Sequence, residues 1–248
     1  MRLQIPLAIS IVLTCCTDAA AQDDAKATIE KAIEAHGGAD KLDKFLAGQV
    51  QSKGLVAAQA GDVPFTSVVV YQLPDRVKAT MEFAIAAGPR SITQVLNGDK
   101  VGAVIGGIPQ QVTPAQAEEL KQAAHARNVV RLTPLLKGDK YKLSSAGEKE
   151  IAGATGVGVK VTADGAREIT VYFDKATNLL LALERQGFDA AGKQTDQQEI
   201  FSEYKTAEGI KYPARTAVMQ NGKRYIASEV LSFKPMARVD SREFTIPQ

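Results

Sequence analysis

The chain has 248 residues, with 30 Lys and Arg against 28 Asp and Glu, a formal charge of +2 and 45% hydrophobic residues. Such balance lacks the basic footprint that nucleic-acid phosphates select, so nucleic acid is not an expected partner. Two His, two Cys and no Trp leave few groups for metal or thiol chemistry.

The opening, MRLQIPLAISIVLTCCTDAAAQDD, has an apolar run from Leu3 to Cys16 and small residues Ala19-Ala20-Ala21 before Gln22. This is the layout of a secretory signal peptide over residues 1–21, with an apolar stretch too short to span a bilayer stably. Lipidation at Cys15 or Cys16 would need a small residue before the cysteine, and Thr14 and Cys15 stand there instead, which makes an anchored form the lesser reading. Cleavage after Ala21 removes both cysteines. Residues 22–248 are then expected to form a single domain, periplasmic or secreted, that is stabilised by packing without disulfides.

Asp23 or Asp24 can cap a helix whose stripe is Ala25, Ile29, Ala32 and Ile33, with Gly37-Gly38 as its stop. Asp40 is expected to cap a second short helix with Leu42, Phe45 and Leu46 inward. His36 falls at the first helix's end, where an imidazolium would meet the negative end of the dipole. Capping is favoured over a metal role, because no partner stands at ligand spacing to His36, and His125 is equally alone.

From Gln49 the period changes to alternation. Gln49 to Val56, Val63 to Gln72, Asp75 to Phe83 and Arg90 to Leu96 read as strands, broken by Gly61-Asp62, Pro74-Asp75, Gly88-Pro89 and Asn97-Gly98-Asp99. In RVKATMEF, Val77, Ala79, Met81 and Phe83 share one face, and Arg76, Lys78, Thr80 and Glu82 the other, as in an antiparallel sheet wet on one side. The second strand is apolar on both, with Phe65, Val69 and Tyr71 against Val68 and Val70, so something should cover both faces there. Lys100 to Ile105 continues the sheet, and Gly106-Gly107-Ile108-Pro109 breaks it.

Thr113-Pro114-Ala115-Gln116 has the capping-box pattern with Pro at the first helical position, and predicts a helix to about Asn128. The apolar Val129 to Leu136 follows. Such an insertion must pack on the concave side of a curved sheet, either as a plain core helix or as a lid over a cavity. Beyond it, Tyr141 to Ser145, Glu148 to Ile151 and Val157 to Thr162 lead through Asp164-Gly165 to Ile169–Phe173 and, past Lys175 to Asn178, to Leu179–Leu183. Two further segments, QEIFSEYKTAEGIKYPARTAVM and KRYIASEVLSFK, are joined at Asn221-Gly222, a strong hairpin signal. Roughly ten or eleven strands is the upper end for a flat open sheet. The expected fold is mainly β: a curved antiparallel sheet forming an incomplete barrel, with helices capping or filling its concave face.

The series VYFDKATNLLLALER, FSEYKTAEGIKYPART, NGKRYIASEVLSFKPM and DSREFTIPQ, with the earlier AHGGADKL and Leu73-Pro74-Asp75-Arg76, resembles bacterial outer-membrane lipoprotein-sorting proteins of the LolA/LolB-like superfamily. These positions are mostly turn and strand punctuation, so they report fold more than activity. The resemblance implies an incomplete barrel around helices, with a hydrophobic cavity for acyl chains of lipids or lipoproteins, action as a monomer, and handover to a membrane-bound partner. It also implies a lid-closing arginine at the start of a strand, a context that Arg76 occupies.

The residues themselves supply a basis for binding. Phe65, Val69, Tyr71, Val77, Met81, Phe83 and Ile85 would line one sheet face, opposite Leu120, Val129, Leu132, Leu135 and Leu136. Left bare, that face would be an apolar patch larger than a soluble monomer tolerates. Ordinary core packing is the alternative for each of them. An enzyme is not expected, since the sequence has no Gly-x-Ser-x-Gly elbow, no paired His ligands and no phosphate loop, and no cofactor or metal is implied. The remaining alternative is a non-catalytic cell-envelope interaction or structural module with a packed core and no ligand.

Overall fold

The structure, a computed structural model, describes residues 17–85, 88, 90–188 and 192–247, with side chains from residue 22 onward. Helices α1 (Thr17–Ala35) and α2 (Ala39–Lys44) precede strands β1 (Ala47–Ala58), β2 (Gly61–Gln72), β3 (Arg76–Phe83), β4 (Arg90–Asn97), β5 (Lys100–Ile105) and β6 (Ile108–Gln110). Helix α3 (Pro114–Val129) and a short 3-10 helix (Thr133–Leu136) follow. The second run of strands is β7 (Lys142–Ile151), β8 (Ala154–Thr162), β9 (Ile169–Asp174), β10 (Leu180–Phe188), β11 (Gln194–Ala207), β12 (Ile210–Gln220) and β13 (Lys223–Met236).

All 13 strands join one sheet in the order β6-β5-β4-β3-β2-β1-β13-β12-β11-β10-β9-β8-β7, and every neighbouring pair is antiparallel. The sheet is curved and not closed into a barrel. Its two free edges, β6 and β7, are consecutive in the chain, so the segment that carries α3 must pass from one edge to the other. Glycines on the inner face of β1 permit the curl. A Cβ on Gly48 would lie 2.6 Å from the Tyr71 hydroxyl, and one on Gly54 would lie 2.3 Å from the Ala227 carbonyl oxygen and 2.7 Å from the Phe65 ring. Bare backbone at these points lets aromatic rings of β2 lie across it.

Helix α1 fills one half of the concave face. Its stripe of Ala25, Ile29, Ala32 and Ile33 forms the main core with Leu143, Val159, Val161, Val171, Leu183 and Phe201 of β7–β11. On the outer face, Val239, Phe244 and Ile246 of the C-terminal segment pack on Ala47, Val70 and Val95. Val70 is thus covered from outside while Tyr71 is buried from inside, which explains the two apolar faces of β2. Val68, beyond the cover, is 37% exposed.

Several expectations change. Helix α1 begins at Thr17, upstream of Asp23, because Ala19–Ala21 are strong helix formers. The expected signal peptide lies outside the described residues apart from the backbone of 17–21. Gly38, not Asp40, is the N-cap of α2, and Leu46 is exposed rather than inward. Tyr141–Ser145 and Glu148–Ile151 are not two strands, since β7 runs through with a register shift between Ser145 and Gly147, where Gly147 has φ 75°. Ile108–Gln110, read as a break, forms an edge strand, a place that tolerates its proline.

His36 is also different from expectation. Its Nδ1–H donates to the Ala32 carbonyl at 2.7 Å, and its Nε2 accepts from the Leu180 N–H at 3.4 Å. An acceptor nitrogen carries no proton, so the ring that caps the helix is neutral. Burial pushes its pKa below 6.5, and Lys211 acts in the same direction against the pull of the Ala32 carbonyl. The capping box of α3 forms as expected: Thr113 Oγ1 accepts from the Gln116 N–H at 3.3 Å, and Gln116 Oε1 accepts from the Thr113 N–H at 2.9 Å.

Candidate functional site

The half of the concave face that α1 leaves uncovered is an apolar trough. Register places Phe65 beside Phe83, Val69 beside Ala79 and Tyr71 beside Val77, and directly paired residues of antiparallel strands share a face. One row crosses the sheet from Ser67 through Met81, Ile92 and Ile105 to Ile108 at the free edge. Val50 and Phe233 extend the surface on β1 and β13. Val50, Val69, Val77, Met81, Phe83, Ile92 and Phe233 are half-buried, and none belongs to a buried core cluster among the described residues.

Alternation therefore brings six of the expected residues together: Phe65, Val69, Tyr71, Val77, Met81 and Phe83. Phe65 and Tyr71 are each 6% exposed, while half-buried Ile85 lies just past the end of β3. The helical residues divide differently. Val129, Leu132 and Leu135 sit in the core with α1, Leu136 packs against that core, and Leu120 is half-buried on α3. The trough's helical neighbour is instead Arg127, whose guanidinium lies over the Tyr71 ring, 5.6 Å from its centroid. Burial raises the Tyr71 pKa, against the lowering pull of Arg131 and Arg127.

Arg76 opens β3 opposite Gln72 and Asn97, and alternation puts it with Lys78 on the face away from Tyr71. The side chains bonded to α3 are others. Glu119 accepts from Arg167 Nη1 at 2.6 Å and from Arg185 Nη1 at 2.7 Å, and the Arg185 side chain is only 9% exposed. Gln122 Oε1 accepts from the Arg167 N–H at 3.0 Å, and Lys121 pairs with Asp99 at 3.0 Å. Helix α3 is thus tied both to the β8–β9 connection and to the β4–β5 turn. Nothing local in the sequence marks these partners, which stand 22 to 66 residues away in the chain.

Two depressions border the sheet. One of about 700 Å³ lies at the Phe65 end of the trough, where the trough residues Gly54, Phe65 and Phe83 line it together with Lys53, Leu55, Pro64, Thr66, Glu82 and Arg215. The other, of about 870 Å³, is polar and includes Lys149, Glu184, Gln186, Asp196 and Gln198, several of which bond one another. Among the residues described, no group of three or more His, Cys, Asp or Glu could hold a metal ion.

No family model and no curated protein matches the chain. Solved structures do. A LolA superfamily protein from Nitrosomonas europaea aligns over 89% of this chain and 97% of its own, at 13% identity and a TM-score of 0.56. A putative outer membrane lipoprotein-sorting protein domain from Vibrio parahaemolyticus aligns over 90% and 97%, at 10% identity and a TM-score of 0.52. A DUF1329 family protein from Desulfovibrio piger covers 89% and 97%, at 11% identity and a TM-score of 0.56. The open sheet curved round helix α1 is the LolA-like fold.

Proposed function

We propose that this protein is a non-enzymatic binding or carrier protein for the acyl part of lipids or lipoproteins. It acts in the periplasm after loss of residues 1–21, as a monomer that passes cargo to a membrane-bound partner. The observation that carries this reading is the half-buried apolar trough of β1–β4 and β13, which lies outside every buried cluster described. Each methylene buried there contributes about 0.8 kcal/mol, so roughly a dozen carbons bind without specific polar contacts. The ties from Glu119 to Arg167 and Arg185 hold α3 beside the trough as a lid. The Vibrio parahaemolyticus neighbour, described as a putative outer membrane lipoprotein-sorting protein domain, agrees with this class of cargo.

The test is native mass spectrometry of protein purified from a periplasm without detergent, followed by solvent extraction. Stoichiometric lipid that is lost on denaturation supports the reading. A bare polypeptide mass, unchanged after incubation with phospholipids and acylated peptides, would turn the assignment to an interaction module with no ligand.

A further inference from the structure

Arg131 is a buried cation whose donors are not fully used. It is 9% exposed, and its Nε and Nη2 are buried without a hydrogen-bond partner among the described residues. A guanidinium carries five donors, and a charged donor taken out of water without an acceptor is costly. Its position is set by an uncommon backbone. Leu132, 1% exposed, has φ 67° and ψ −52°, and the Thr133 N–H donates to the Arg131 carbonyl at 2.8 Å. This is a γ-turn of the positive-φ kind, a strained shape that survives only where its surroundings over-determine it.

The charges around Arg131 do not balance it. It feels the Asp43 carboxylate and the Tyr71 hydroxyl, but Asp43 is already bonded to Lys137 at 2.7 Å. Arg127, four residues earlier, lies over the Tyr71 ring. Arg131 and Lys137 thus share one carboxylate, Asp43, while Arg127 and Arg131 both act on Tyr71, which marks this end of the trough. From Phe65 to Tyr71 the trough runs along β2 for about 20 Å at roughly 3.3 Å per residue, so an acyl chain lying in it can bring its head to these cations.

Building on the acyl-site reading above, we propose that Arg131, with Arg127, binds an oxyanion at the head of the acyl ligand, so that the cargo is a lipid carrying a carboxylate or phosphate group. Orphaned donors of Arg131 then find the acceptor they lack, and bidentate pairing is the natural geometry for either anion.

The experiment titrates the delipidated full chain with palmitate, 1-palmitoyl lysophosphatidate, methyl palmitate and inorganic phosphate, for wild type and Arg131→Met. At least one anionic lipid should bind about 10- to 100-fold tighter than methyl palmitate, as expected for a charged hydrogen bond, and whichever gains more identifies the head group. Arg131→Met should abolish that preference and keep the methyl palmitate affinity. The variant is expected to fold, since exchanging an unmet buried charge for an apolar side chain of similar length is often neutral or stabilising. Should it fail to fold, the wild-type comparison and Arg127→Met still decide. Equal affinity for all three lipids would overturn the anion site and leave the acyl site standing. No binding of any lipid would overturn both, and inorganic phosphate bound as tightly as the lipids would overturn the lipid assignment.

Discussion

Gly37 faces Gly209 so closely that a Cβ on Gly37 would sit 2.2 Å from the Gly209 carbonyl oxygen. The next contacts follow the same seam: the Lys211 N–H donates to the His36 carbonyl at 3.0 Å, and the Lys41 side chain packs over Gly209. The His36-Gly37-Gly38 stop of α1 is thereby docked onto the Glu208-Gly209-Ile210-Lys211 turn between β11 and β12. This joint fixes how α1 lies in the curve, and so which half of the concave face stays open.

Gly37→Ala should therefore destabilise the fold by about 2–4 kcal/mol, combining backbone strain with overpacking. In a chain of this size that lowers the melting temperature by roughly 5–15 °C. Gly37 has φ 121°, so both causes act. Gly107→Ala is the control, with φ 85° and open space around it, and should cost only the strain, about 1–3 kcal/mol. Equal losses in the two variants would mean that the Gly209 contact yields easily.

The neutral His36 makes stability depend on pH. The unfolded chain takes up a proton near the ordinary value of 6.5, whereas burial holds the folded ring below it. Between those two values the unfolded state binds more protons, so stability is constant above about pH 6.5 and falls as pH drops below it, by up to about 1.4 kcal/mol per pH unit. Burial lowers His125 as well, with Lys140 adding to it. Urea midpoints measured from pH 7.5 to 5 should decline for wild type and less steeply for His36→Gln. A flat wild-type curve would show a ring that protonates freely in the folded state.

Glu119→Gln should loosen α3. It strips the charge that Arg167 and Arg185 share, and breaking a partly buried pair of this kind costs about 1–3 kcal/mol after allowance for solvent at the more exposed Arg167. Amide exchange should quicken across Pro114–Val129 while α1 stays protected, because α1 has its own core and its own dock at Gly209. Exchange in α3 equal to wild type would remove the lid tie from Glu119.

Much of the trough's sheet face was visible in local pattern. The alternation of RVKATMEF placed Val77, Met81 and Phe83 together, and the pairing with β2 then followed. The helical side was not visible in the same way. Leu132 and Leu135 are as apolar as any trough residue, and nothing nearby in sequence says that α1 claims them for the other half of the sheet. Long-range partners were equally hidden: Glu119 with Arg185, Gly37 with Gly209, and the burial that keeps His36 neutral all depend on strands far away in the chain. Arg76 shows the reverse limit, since a motif context can match while alternation turns the side chain to the outer face.

Met81→Glu separates trough from core most directly. Met81 is half-buried in the row between Ser67 and Ile92 and belongs to no buried cluster described, so a carboxylate there can reach water in the empty protein. The melting temperature should move little, by an amount matching less than about 1 kcal/mol. With an acyl chain in the trough the same carboxylate would be sealed from water, a state that costs several kcal/mol. Methyl palmitate affinity should accordingly fall at least about tenfold, the equivalent of about 1.4 kcal/mol. Unchanged affinity in a well-folded variant would put the chain elsewhere than the β3 row, and a large loss of stability would make Met81 a core residue after all.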